Sequence, residues 1–75
     1  MKTYILSIKI IDGDTVEDMT DFIYGEFSKA NVEVVSVDGN RVRVELETED
    51  DFDYGYFEDC MDNAGYDTEF LELYK

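Results

Sequence analysis

VEVVSVDGNRVRVELE, residues Val32 to Glu47, is a β-hairpin written in sequence. Apolar residues recur at nearly alternate positions on both sides of an Asp-Gly-Asn break, the pattern of two half-buried strands joined by a tight turn. With Asp38, Gly39 and Asn40 as a three-residue loop, Val32 and Val34 share a face with Val42, Val44 and Leu46, while Val35 and Val37 face outward with Arg41 and Arg43. A two-residue Asp-Gly turn mixes those faces, so the three-residue loop is the expected one.

The chain on either side completes an architecture around this hairpin. Upstream, Tyr4, Leu6, Ile8 and Ile10 alternate with Thr3, Ile5, Ser7 and Lys9, the period of a strand with one face in the core. Asp12 to Asp14 turns the chain. Thr15 and Asp18 then form a capping-box-like start, and Val16, Met19, Ile23, Phe27 and Ala30 lie on one helical face, which predicts a helix over about Val16 to Ala30. Downstream, Thr48 and Asp51 offer a second capping pair, Phe57, Cys60, Met61 and Ala64 make an apolar stripe, and Gly65 marks a helix stop. Asp67 to Tyr74 reads as a last, irregularly patterned strand. The order is β-α-β-β-α-β, and right-handed crossovers make it an α+β, ferredoxin-like βαββαβ sandwich: a four-stranded antiparallel sheet with both helices on one face.

Length and composition bound what such a fold contains. The 75 residues form a single acidic domain, 1–75. A chain of this size buries only about 60% or a little more of its unfolded surface, so its stability margin is thin. Hydrophobic residues at 44%, with 6 Tyr and 5 Phe, suffice for one core and argue against disorder. Neither a secretory leader nor a membrane-spanning run is expected, which points to a cytoplasmic protein. The lone Cys60 has no partner for a disulfide and, with no His in the chain, none for a Cys/His metal site or dyad; it is expected to be a small buried residue on the second helix.

Charge is the anomaly. Twenty acids against six bases give a net charge of −14, and the acids are unevenly placed: no Lys or Arg occurs between Val44 and Tyr74. Self-repulsion on this scale destabilises a small domain, so solubility or a cationic partner is the expected compensation. Direct binding to nucleic acid or to an anionic membrane is not expected from such a chain. The third strand carries no aromatic base-stacking motif, and the open sheet face is expected to carry Ile5, Lys9, Val35, Val37, Arg41 and Arg43, with the bases paired to Glu45 and Glu47.

Catalytic chemistry finds no foothold in the sequence. Asp-Gly-Asp-Thr-Val-Glu-Asp, from Asp12, lacks the register and terminal Glu of a calcium loop. Asp50, Asp51 and Asp53 could hold a divalent cation loosely, but acids in the first turn of a helix are explained by the helix dipole alone. Phosphate-binding glycine loops and nucleophile-base sets are absent from the sequence, so a non-enzymatic protein without cofactor or metal is expected.

One repeat stands out: DFIYGEF, Asp21 to Phe27, returns as DFDYGYF, Asp51 to Phe57. The counterpart of the core residue Ile23 is Asp53, which does not occupy a core position cheaply, so the two copies do not share a buried face. Tyr24 lies off its helix's core stripe and Tyr54 at the edge of the other, each beside carboxylates, the combination a binding face uses. The candidate partner-binding residues are therefore Asp21, Tyr24, Glu49, Asp50, Asp51, Asp53, Tyr54, Glu58, Asp59 and Asp62.

The acids of the second half match the phosphate charge on roughly 20 Å of duplex, about the length of a four-turn helix. In size, acidity, lack of catalytic residues and expected fold, the chain resembles the small phage-encoded DNA-mimic inhibitors, the anti-CRISPR and anti-restriction proteins. That resemblance implies a host nucleic-acid-binding protein as partner, with a Cas effector first and a restriction or DNA-repair enzyme next, and a monomer or weak dimer as the acting species. The alternative is an acidic adaptor that docks a basic protein through a hydrophobic sheet face.

Overall fold

The computed structural model describes residues 1–11 and 13–74, so Asp12 of the expected first turn lies outside them. The elements are β1 (Lys2–Lys9), α1 (Val16–Glu26), β2 (Asn31–Asp38), β3 (Arg41–Thr48), α2 (Tyr54–Asn63) and β4 (Asp67–Tyr74). All neighbouring strands run antiparallel, in the order β2-β3-β1-β4. This is the expected βαββαβ arrangement, with β1 and β3 central and β2 and β4 at the edges. Tyr4, Leu6 and Ile8 of β1 and Val42, Val44 and Leu46 of β3 turn to the helices, where Met19 and Ile23 of α1 and Phe57 and Met61 of α2 are fully buried against them. Each such side chain contributes about 1.5–3 kcal/mol by leaving water.

The hairpin corrects the expected loop. Asp38 pairs with Arg41, leaving Gly39 and Asn40 as a two-residue turn with Gly39 at φ +62°. That turn aligns Val37 with Val42, whereas Val34 aligns with Val44, and the two registers differ by one residue. The chain reconciles them with a β-bulge: Val35 drops out of the ladder between Val34 and Ser36, and the valines on both sides of it keep the helix-facing side. Val37 therefore lies on the helix side of the sheet, not outward with the arginines. β4 solves the same problem in the same way. Its ladder with β1 shifts between Ile5 and Leu6, leaving Leu71 unpaired, so Phe70 and Leu73 face the helix side although they are three residues apart. The irregular pattern of the last strand is that bulge.

Both helices differ from expectation at their ends. Thr15 and Asp18 form the expected capping box, at 3.1 and 3.3 Å. α1 stops at Glu26 rather than Ala30 because Phe27 leaves helical geometry (φ −131°, ψ 71°) and turns its ring onto Phe52, Tyr56 and Phe57. α2 is capped by Asp53, whose carboxylate accepts from the Tyr56 amide at 3.1 Å, and not by Thr48 and Asp51. Thr48 ends β3 and is buried opposite Lys2. With ten residues α2 is about 15 Å long, shorter than the expected four turns. Its C-terminus is a Schellman motif: Gly65 at φ +95° donates to Asp62, and Tyr66 donates to the Met61 carbonyl, both at 2.9 Å.

Candidate functional site

Neither helix contains a Lys or Arg, and each turns carboxylates to solvent. On α1 these are Glu17, Asp18, Asp21 and Glu26, and on α2 they are Glu58, Asp59 and Asp62. The helical period explains the placement: core positions are taken by Met19 and Ile23 in one helix and by Phe57 and Met61 in the other, which leaves the acids on the outer arcs. Glu49, Asp50, Asp51 and Asp53 precede α2 and are also exposed. A single aromatic fixes that acidic loop. Phe52 inserts among Tyr4, Phe27 and Phe57, with ring centroids 6.1, 5.7 and 5.9 Å away, so the acids on either side of it are held at the surface.

All eight expected acids are therefore exposed on the helix side or in the loop leading into α2, but two already have structural partners. Asp50 lies 2.9 Å from the amino group of Met1, which holds its carboxyl below the usual range, first by hydrogen bonding and then by charge. Asp53 is the cap of α2. Glu17, Asp18 and Glu26 belong to the same acidic surface and were not among the residues expected from sequence; the helical wheel of α1 was the available signal. Asp50, Asp51 and Asp53 do not converge, and among the described residues no three acidic or thiol side chains gather as a metal-holding group.

The two repeat tyrosines occupy unlike environments. Tyr24 is 40% exposed, yet its hydroxyl accepts from the Val32 amide at 3.1 Å and has the Asn31 Oδ1 and Val32 carbonyl as acceptors at the same distance. Tyr54 is half-buried and stacks on Tyr4. Burial, and after it the neighbouring Glu58 carboxylate, pushes the Tyr54 phenol above its ordinary pKa, although its buried hydroxyl forms no well-aligned hydrogen bond. Ile23 is fully buried while its counterpart Asp53 is an exposed cap, so the copies share no buried face, as the sequence implies. Cys60 is half-buried rather than buried: it lines a shallow groove between the helices with Phe22, Glu26, Asn63 and Ala64.

The open sheet face is less apolar than the sequence suggests. Ile5 is 6% exposed, flanked across the ladders by Glu45 and Glu72, and Val37 lies on the other side. Arg41 reaches over β1 to Glu69 at 3.6 Å and to Ser7 at 3.4 Å, instead of pairing with Glu45 or Glu47. Among the described residues no helix is long and apolar enough to cross a membrane. Comparison with protein-family models, curated proteins and solved structures returns no match.

Proposed function

We propose that this chain is a non-enzymatic acidic inhibitor that occupies the nucleic-acid-binding site of a basic host protein by imitating DNA, with a Cas effector as the first candidate target and a restriction or repair enzyme as the next. The observation that carries the proposal is the uneven distribution of charge: α1, α2 and the Glu49–Asp53 loop contain carboxylates without a single Lys or Arg among them, and Lys9, Arg41 and Arg43 lie on or beside the opposite sheet face, although Lys29 follows α1 and Lys2 and the Met1 amino group reach Asp50. The longest axis of the whole molecule is 33 Å, about one duplex turn, while α2 itself spans only about 15 Å. A surface of this kind competes for a channel lined with Lys and Arg, and its binding weakens as salt screens the attraction.

The test is capture of partners from a bacterial lysate with and without competing duplex DNA, followed by charge reversal. Asp21→Lys, Asp59→Lys and Asp62→Lys alter outward carboxylates that cap nothing and pair with nothing among the described residues. Combined in pairs, they are expected to weaken binding at least tenfold and to flatten its salt dependence. Capture that ignores DNA competition, or that survives all three reversals in folded protein, would sink the proposal.

A further inference from the structure

The two sheet edges are not equivalent. β2 is closed at its start, because the Tyr24 hydroxyl of α1 accepts from the Val32 N–H and sits within 3.1 Å of the Val32 C=O, which shares the single phenol proton with the Asn31 Oδ1. Those groups would otherwise offer themselves to another strand. β4 has no such plug: among the described residues no side chain bonds its main chain. The protein contains no Pro and Asp67–Tyr74 contains no Lys or Arg; the charges of this edge are Asp67, Glu69 and Glu72, which deter an acidic strand but not a basic one. The bulge at Leu71 leaves Asp67–Phe70 as a regular edge run paired with Leu6–Lys9.

We propose that the outer edge of β4 is a strand-addition site for an extended segment of another protein in which apolar residues alternate with Lys or Arg. The pleat dictates that chemistry. On the helix side, Phe70 and Leu73 are 48% and 36% exposed, and Phe70 continues inward to Tyr54 and Tyr4, 5.8 and 6.4 Å between centroids. Apolar side chains of an added strand cover that shelf. On the other side, Asp67, Glu69 and Glu72 align with Lys9, Ser7 and Ile5 of β1, and an added strand sets its alternate side chains against these carboxylates. A second copy of this chain is the wrong occupant. Full-length antiparallel pairing of β4 with itself sets Glu69 opposite Glu72 twice, and like charges directly opposed destabilise a ladder. A basic strand inverts that penalty. This inference goes beyond the proposed function and does not depend on the helix carboxylates.

The probe is a fluorescently labelled, end-capped octapeptide of alternating Val and Lys, measured by anisotropy against the full chain, with amide hydrogen exchange followed residue by residue. Two controls accompany it: an alternating Val and Glu peptide, and a peptide of the same Val and Lys content with the lysines in one block. The alternating Val-Lys peptide is expected to bind at least tenfold more tightly than either control and to slow exchange in β4 but not in β2. Phe70→Lys with Leu73→Lys is expected to reduce its binding at least tenfold, while Asp59→Lys with Asp62→Lys leaves β4 protection in place. The inference is overturned by absence of binding, by equal binding of the blocked peptide, or by binding that leaves β4 amides unprotected. Concentration-dependent protection of β4 without peptide would overturn it in favour of self-association. Failure of the helix reversals to affect partner capture would count against DNA mimicry alone.

Discussion

The ring of Tyr54 lies 4.8 Å from that of Tyr4 and within 6° of parallel, which pins the first turn of α2 to the centre of the sheet. The contact sets where Asp53 and Glu58 emerge, because they flank Tyr54 on the cap and one turn further on. An aromatic pair adds about 0.5–1.5 kcal/mol to the burial of its rings. Tyr54→Ala is therefore expected to cost about 2–3 kcal/mol in chemical denaturation. Tyr54→Phe keeps the stack and removes a buried hydroxyl without a good partner, and should leave stability unchanged or raise it. A large loss in the Phe variant would show that the hydroxyl is well bonded after all.

Salt should stabilise this protein. The net charge is −14, and the ion pairs among the described residues, Met1–Asp50 and Arg41–Glu69, are both exposed and weak. Screening thus removes more repulsion than attraction. The melting temperature is expected to rise between low and moderate ionic strength with a neutral-pH buffer, and a flat or falling curve would contradict that balance.

Gly65 sits where a side chain is costly. Its φ of +95° closes the Schellman motif, and a Cβ there would sit 2.9 Å from the Ile11 Cδ1. Gly65→Ala should cost roughly 1–2 kcal/mol from backbone conformation, with a further increment if Ile11 does not move aside. Gly39→Ala, at φ +62° with open space around it, isolates the backbone share. Urea denaturation of both variants separates the two contributions, and equal losses would mean that Ile11 yields freely.

Tyr66, between α2 and β4, is tied to the loop before α1 by a 2.6 Å hydrogen bond from its hydroxyl to Asp14. Burial, and then that bond and the carboxylate charge, push its phenol up to about 12. The folded state thus favours the protonated phenol, so its stabilisation is complete below the ordinary value of 10.0 and disappears as pH rises through about 12. Stability should fall across that window, and Tyr66→Phe should remove this part of the dependence. A Phe variant with the same alkaline slope would assign the loss to other tyrosines.

The elements and their order were legible in the sequence because each carries its own period. Alternation marks Tyr4–Ile8 and Val42–Leu46, and the helical stripes mark Met19–Ile23 and Phe57–Met61. The Thr15 capping box and the Gly65 stop are equally local, since every atom involved lies within a few residues. The acids were visible too, though only the helix wheel shows that Glu17, Asp18 and Glu26 join the same surface. What local pattern does not contain is competition between two demands on one strand. The Gly39-Asn40 turn and the valine alternation of β2 require registers that differ by one, and only the assembled ladder, with helices fixing which face is buried, decides that Val35 bulges out. Likewise, Tyr24 and Tyr54 sit in matching heptapeptides, yet one seals an edge strand and the other stacks in the core. Their difference lies in what each meets across the fold: Val32 from β2 for one ring, Tyr4 from β1 for the other. Such partners are brought near by chain closure rather than by sequence proximity, so tertiary structure alone assigns them.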